Sequence, residues 1–328
     1  MEVGGSPPDR EGKRGHRVKA RDLGALVALA AVWGGSFLFI RVAAPVVGPV
    51  TLAGVRVVLA GLALALYALA TRVNLDLRRR WKSFLVVGLL NSAIPFVLIG
   101  AAELRLTAGL AAILNATTPL FGALVAAVWL RDRLTVGKVV GLLIGLAGVV
   151  LLMGWSSLPL TTTTVLAVGA SLLGALSYAL ASVYTKRAFK GVPALAIATG
   201  QQLGAAAILV PITLPVAAVT SPWAHLTPGV LWAMVTLALL CTSAAYIIFF
   251  YLIGSVGPVP ATSVTFLVPA FGLVWSAIFL HEPLTLGTFG GMAIIFVGVL
   301  LVLGVRFPRR MRHVGDAPGS QSMVGAAR

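Results

Sequence analysis

The chain has 328 residues, of which 59% are hydrophobic and 10% charged, with a mean hydropathy of +1.01. A soluble domain needs a polar shell that this composition does not supply, so a polytopic membrane protein is expected. The net charge of +16 would suggest nucleic acid in a soluble protein; here it turns the question to where the charges sit.

Residues 1–21 form a basic tail without a signal-peptide cleavage pattern, so the first helix should act as an uncleaved anchor. Crossing about 30 Å of hydrocarbon takes about 20 apolar residues in a helix. Ten such stretches follow, over 22–43, 48–71, 83–104, 107–130, 136–154, 163–187, 193–217, 229–252, 258–280 and 286–306. Residues 307–328 are polar, with scattered Gly, Pro and Ser, and are expected to be disordered. The ten-residue alternation of a membrane β-barrel is absent. Cys241 is the single cysteine, inside helix eight, which excludes disulfides, cysteine metal sites and redox motifs.

The positive charges are sorted by side. With both termini cytoplasmic, 22 of the 25 Lys and Arg fall in inner segments, and the outer loops hold only Arg41 and Arg105. This asymmetry orients the chain with both ends inside. It gives the tails a role as topology determinants beside anionic lipid, so the bilayer is the expected partner and nucleic acid is not.

Residues 111–153 and 261–303 are one segment written twice, 150 positions apart, with 14 identities in 43 positions, where such a composition would give roughly 4 by chance. Pro119 matches Pro269, Gly141 matches Gly291, and Arg131-Asp132-Arg133 becomes His281-Glu282-Pro283. A carboxylate stays while two arginines vanish, as expected if the copies face opposite sides. Five helices per copy is an odd number, so the second copy enters from the opposite face. The expected fold is therefore an all-α membrane protein of ten transmembrane helices, arranged as two inverted five-helix repeats over 22–155 and 161–306. Weaker matches place Trp33 opposite Tyr178, Arg56 opposite Gln201, and Asn91 and Phe96 opposite Cys241 and Tyr246.

A site can be argued from the helix breakers. Proline lacks an amide hydrogen, so Pro119 frees the carbonyl of Asn115, Pro269 that of Thr265, and Pro95 that of Asn91. Freed carbonyls beside polar side chains near the midplane suit a pocket at the repeat interface. The alternative is an ordinary kink whose Thr117, Thr118 or Asn115 side chain caps the loose carbonyl. Arg56 is the one ionised side chain expected deep in the hydrocarbon, about nine residues and ~13 Å into its helix. Its placement costs at least ~2.5 kcal/mol and calls for a partner. It either anchors an anionic substrate group or ties together helix carbonyls. Trp33, Phe96, Tyr178 and Tyr246 are candidates for aromatic walls, with helix packing as the competing reading. Thr118 and Gln201 complete the candidate set.

Glu103 is expected to pair with Arg41 or Arg105 at the interface, and the absence of a mid-membrane carboxylate argues against exchange driven by a buried acid. Asp132 and Glu282 are placed near the start of the next helix, where they favour the dipole; gating is the sharper alternative. Gly137, Gly141 and Gly145 provide a close helix contact, in packing or in a homodimer.

Trp33-Gly34-Gly35-Ser36-Phe37, Arg56, the prolines in helices four and nine, and Glu282 followed by Leu284-Thr285 together resemble the drug/metabolite transporter superfamily, specifically its ten-helix EamA-type branch. The resemblance covers residues 22–306; Asp132 stands where the pattern usually has Glu. It implies export or exchange of a small metabolite, often an amino acid, by alternating access across a prokaryotic inner membrane. No catalytic group, metal or cofactor is expected. The rivals are an intramembrane enzyme and a channel; the first lacks clustered acids or histidines, the second a filter or charge ring.

Overall fold

A computed structural model describes residues 19–155, 159, 161–257 and 261–303; most of the two expected tails lies outside them. Its apolar helices are α1 (Ala20–Val47), α2 (Pro49–Ala70), α3 (Leu77–Ala102), α4 (Ala108–Trp129), α5 (Val136–Trp155), α6 (Thr162–Ala188), α7 (Ala194–Thr220), α8 (Pro228–Val256), α9 (Val264–Leu280) and α10 (Leu286–Leu303). All but α9, at 17 residues, are at least 18 residues long and apolar enough to cross a bilayer unaided. Helix α3 starts earlier than its apolar stretch, because Leu77–Lys82 forms a basic, Trp81-bearing first turn. Long cationic stems and an indole suit the membrane interface.

Two faces are fixed by contacts between helix ends. On the face that holds Ala20 and Leu303, Asp22 accepts from Tyr251 and Ser255 at the end of α8. There too Arg80 donates to the Ala188 carbonyl and Arg187 to that of Trp129. On the opposite face Arg41 donates to the Glu103 carbonyl.

The helix pairings obey a two-fold exchange of the repeats. Helix α1 packs on α9 as α6 packs on α4, α1 on α8 as α6 on α3, and α2 on α8 as α7 on α3. The self-related pairs α2–α7, α4–α9 and α5–α10 also meet. Close approach at these crossings requires glycine. A Cβ on Gly34 would lie 2.7 Å from Cβ of Phe271 and 2.8 Å from the Gly272 nitrogen. Gly141 faces the Gly298 carbonyl on α10 and Gly145 faces Leu120, so these two glycines of α5 serve contacts inside the chain. Gly137 has nothing near it.

The repeat also extends to irregular backbone. Leu89–Ala93 in α3 and Leu239–Ala244 in α8 are π-helical turns that start 150 positions apart. A π turn widens the helix and leaves carbonyls poorly paired, and such turns gather at functional sites. Here side chains take the carbonyls: Ser177 bonds that of Leu90 at 2.7 Å, Thr242 that of Leu237 at 2.8 Å and Ser243 that of Ala238 at 3.1 Å.

Candidate functional site

Between the repeats lies a cavity of about 370 Å³, within the range of small-molecule sites. It collects Trp33, Arg56, Asn91, Phe96, Asn115, Thr118, Pro119, Tyr178, Tyr246, Thr265 and Pro269. Gln201 and Pro95 do not line it. Lining residues that were not among the candidates include Ser36, Ser182, Cys241, Thr242 and Phe249. Ser36 and Phe249 follow Trp33 and Tyr246 by three residues, so helical spacing places them on the same faces. Thr242 lies four residues before Tyr246, so the same spacing places it on the Tyr246 face.

Arg56 is buried, with 8% of its surface exposed. Its Nε donates to the Thr242 hydroxyl at 2.9 Å, and its guanidinium lies 3.8 Å from the centre of the Phe96 ring. The two terminal nitrogens meet no hydrogen-bond partner and no carboxylate among the described residues. Of the two readings of Arg56, the tie to helix carbonyls is not formed among the described residues; a hydroxyl and a ring face take its place. Neither neutralises the charge, and a guanidinium with its fork unpaired is suited to a carboxylate or phosphate.

Gln201 stands behind the wall as a support. Asn91 Nδ2 donates to Gln201 Oε1 at 3.0 Å and to the Tyr246 oxygen at 3.3 Å, and Gln201 Nε2 donates to the same oxygen at 2.7 Å. A phenol that accepts from two amides keeps its own hydrogen to donate elsewhere. Trp33 packs edge-on to Tyr246, with ring centres 6.4 Å apart, and tilts against Phe249 at 5.4 Å. These rings hold the hydroxyl in place and give the cavity an aromatic wall.

The proline argument is corrected in part. Helix α4 is broken into Ala108–Asn115 and Thr118–Trp129. The Asn115 carbonyl that Pro119 frees is taken by the Thr118 hydroxyl at 2.7 Å, and Thr117 takes the Leu114 carbonyl at 2.6 Å. The kink thus compensates itself, because threonine three residues on reaches back to the loose carbonyl. What remains open is the Asn115 side chain, whose buried Oδ1 has no partner among the described residues. In the second repeat, α9 runs unbroken across Pro269, and the Thr265 hydroxyl donates to the Thr262 carbonyl at 2.9 Å. Pro95 sits directly after the π turn of α3, whose wider backbone accommodates its ring.

Glu282 departs from expectation. Thr135 and Thr285 cap the helices that follow them, α5 and α10. Glu282 instead crosses to the other repeat, where its two oxygens accept from the Ala108 and Gly109 amides at 2.8 and 3.1 Å and bind the start of α4. Asp132 is exposed and makes no side-chain hydrogen bond or ion pair among the described residues. Its symmetry-related target, residues 258 and 259, lies outside them. Glu103 does not form its expected salt bridge: Arg41 donates to its main-chain carbonyl, and the carboxyl is fully buried.

The cavity has one covered end. Ile40 and Ile99, buried, close it toward the face where Glu282 holds α4. Ser182 and Thr265 line it toward the face that holds Ala20 and Leu303, and both are exposed.

Inverted five-helix repeats around a polar, aromatic cavity in an apolar bundle define a multi-pass membrane transporter. The chain belongs to the EamA-like transporter family, whose model matches residues 22–154 and 165–304. It is 29% identical to the uncharacterized transporter YvbV of Bacillus subtilis (strain 168), over 87% of this chain and 92% of that protein. It is 30% identical to the uncharacterized inner membrane transporter YedA of Escherichia coli (strain K12), over 86% and 90%. A probable terminal-alkyne amino-acid exporter of Streptantibioticus cattleyicolor (strain ATCC 35852 / DSM 46488 / JCM 4925 / NBRC 14057 / NRRL 8057) is 27% identical over 85% and 92%. One solved crystal structure superposes with a TM-score of 0.60 at 19% identity, covering 86% of this chain and 96% of that one, a likeness of fold. The relatives are transporters, and the chain is a transporter rather than an enzyme.

Proposed function

We propose that this transporter is a secondary carrier that exports or exchanges an amino acid or a related small carboxylate across the inner membrane by alternating access. The observation that carries the reading is Arg56: a buried guanidinium in the cavity wall with both terminal nitrogens unpaired among the described residues. A substrate carboxylate supplies the missing anion. Asn115 lines the same cavity, the Tyr246 hydroxyl adds a donor, and the aromatic wall receives an apolar side chain. The name of the Streptantibioticus relative supports an amino acid as cargo.

Both termini lie in the cytoplasm in this reading, which the 22 to 2 division of Lys and Arg supports. The cavity then opens inward through Ser182 and Thr265, and Glu282 closes the outer face. Alternation exchanges that clasp for its inverted counterpart around Asp132. A homodimer would use a surface other than Gly141 and Gly145, which already face α10 and Leu120.

The test is metabolite profiling of cells that lack the protein, overproduce it, or overproduce Arg56→Gln. The expected result is one carboxylated metabolite that falls inside and rises outside with the native chain only. Equal profiles for native and Arg56→Gln chains, at equal membrane abundance, would overturn the reading.

A further inference from the structure

One ionisable side chain lies outside the cavity in a place that no part of the binding site requires. Glu103 follows α3 by one residue, is fully buried, and neither carboxyl oxygen meets a hydrogen-bond partner among the described residues. The charged groups that face it are Glu282 from the turn between α9 and α10, Arg41 from α1 and Arg56 from α2. Helix α6 also packs on α3, and Arg105 of the same turn is exposed. Each neighbour is engaged elsewhere: Arg41 with the main-chain carbonyl of Glu103, Arg56 with Thr242, and Glu282 with the amides of Ala108 and Gly109.

A buried carboxylate without a donor is strongly disfavoured against its neutral acid. Burial first, and then the like charge of Glu282, hold the Glu103 carboxyl well above the ordinary carboxylate range, while Arg41 and Arg56 act in the opposite sense. Glu103 also sits five and six residues before the amides that Glu282 grips, on the turn that must move if α4 swings away.

We propose that Glu103 is a proton-binding site coupled to this face: it carries a proton while Glu282 holds α4 and releases it when the clasp opens. On opening, the carboxylic O–H bond breaks, the proton passes to water at that face, and the carboxylate is hydrated; closing reverses each step. A closed-state pKa raised above the open-state value makes closure most favourable at low pH. That advantage is lost as pH rises through the closed-state value, and the open population grows by up to about tenfold per pH unit in between. The inference depends on alternating access for the meaning of opening, but its test needs no substrate, so it can fail while metabolite export stands, and the reverse.

The full chain in lipid nanodiscs is followed by amide hydrogen exchange of peptides covering residues 103–115. Native protein, Glu103→Gln and Glu282→Gln are compared at matched pH from about 5 to about 9, so that intrinsic exchange rates cancel. The expected result is equal protection of Ala108 and Gly109 in native and Glu103→Gln chains at the acid end. Protection then falls with pH in the native chain alone, by up to about tenfold per unit. Glu282→Gln should lose that protection at every pH while α7 stays protected, showing that these amides report the clasp. A ratio of native to Glu103→Gln protection that stays constant across pH overturns the proposal, as does loss of protection in Glu103→Gln at acid pH. Should Glu103→Gln fail to fold, Glu103→Leu provides a second permanently neutral side chain with the same expected result.

Discussion

Arg56 of the first repeat donates its Nε hydrogen to the hydroxyl of Thr242 in the π turn of the second, at 2.9 Å. The bond aims the guanidinium across the repeat interface and leaves its terminal nitrogens without an acceptor among the described residues. Thr242→Val keeps the shape and removes the acceptor. Hydrogen bonds to charged groups contribute about 1.5–3 kcal/mol, so a carboxylated substrate should bind about tenfold or more weakly. Transport KM in proteoliposomes checks this, with maximal rate reduced less than affinity.

Tyr246→Phe removes the oxygen that accepts from both Asn91 and Gln201. Orphaning a buried donor costs about 1–3 kcal/mol. The variant should melt at a lower temperature and bind substrate less tightly. Thermal unfolding in detergent with and without substrate separates the two effects.

Asn115→Leu should abolish transport in a chain that still inserts and folds, because it replaces a polar residue of the cavity lining with an apolar one. Thr118→Val leaves the Asn115 carbonyl uncapped at a cost of about 1 kcal/mol and should lower stability more than it changes substrate preference. Thr265→Leu should act more weakly than Asn115→Leu, since the Thr265 hydroxyl is already engaged by the Thr262 carbonyl. Parallel transport and melting measurements rank the three.

Gly34→Ala would press a methyl group to within 2.7–2.9 Å of Phe271, Gly272 and Val268, two of these contacts being backbone atoms that cannot swing aside. Overpacking of this kind costs about 1–3 kcal/mol. A depressed melting temperature is expected, whereas Gly122→Ala, with nothing within 4 Å of the added carbon, should be neutral. Equal melting of both variants would contradict the α1–α9 packing.

Cysteines placed at Asp132 and at His281, in a Cys241→Ser background, should react with a membrane-impermeant maleimide from opposite sides of the membrane. Labelling of both from one side would remove the inverted repeat.

The helices and their inversion were legible because both rest on strong local signals: apolar length, charge asymmetry and the 150-residue match. The candidate cavity residues were legible in outline, since polar and aromatic side chains inside apolar stretches are few. Gln201 was misplaced by one layer, because periodicity assigns a residue to the inward side of a helix without saying whether it meets a cavity or another side chain. The π turns had no sequence signature beyond Pro95, and α8 forms its own without a proline. Glu282 was assigned to the wrong helix: its partner amides lie more than 170 positions away in the chain.

Hydropathy and charge, by themselves, determined that this chain spans a membrane ten times and that its halves oppose each other, since transfer free energy accumulates residue by residue whatever the partners. Tertiary structure alone decided which amides Glu282 binds, where the guanidinium of Arg56 points, and that Glu103 is sealed from solvent with no ion pair among the described residues. Those outcomes depend on how closely helices from different repeats approach, over distances of a few ångströms that no local pattern encodes.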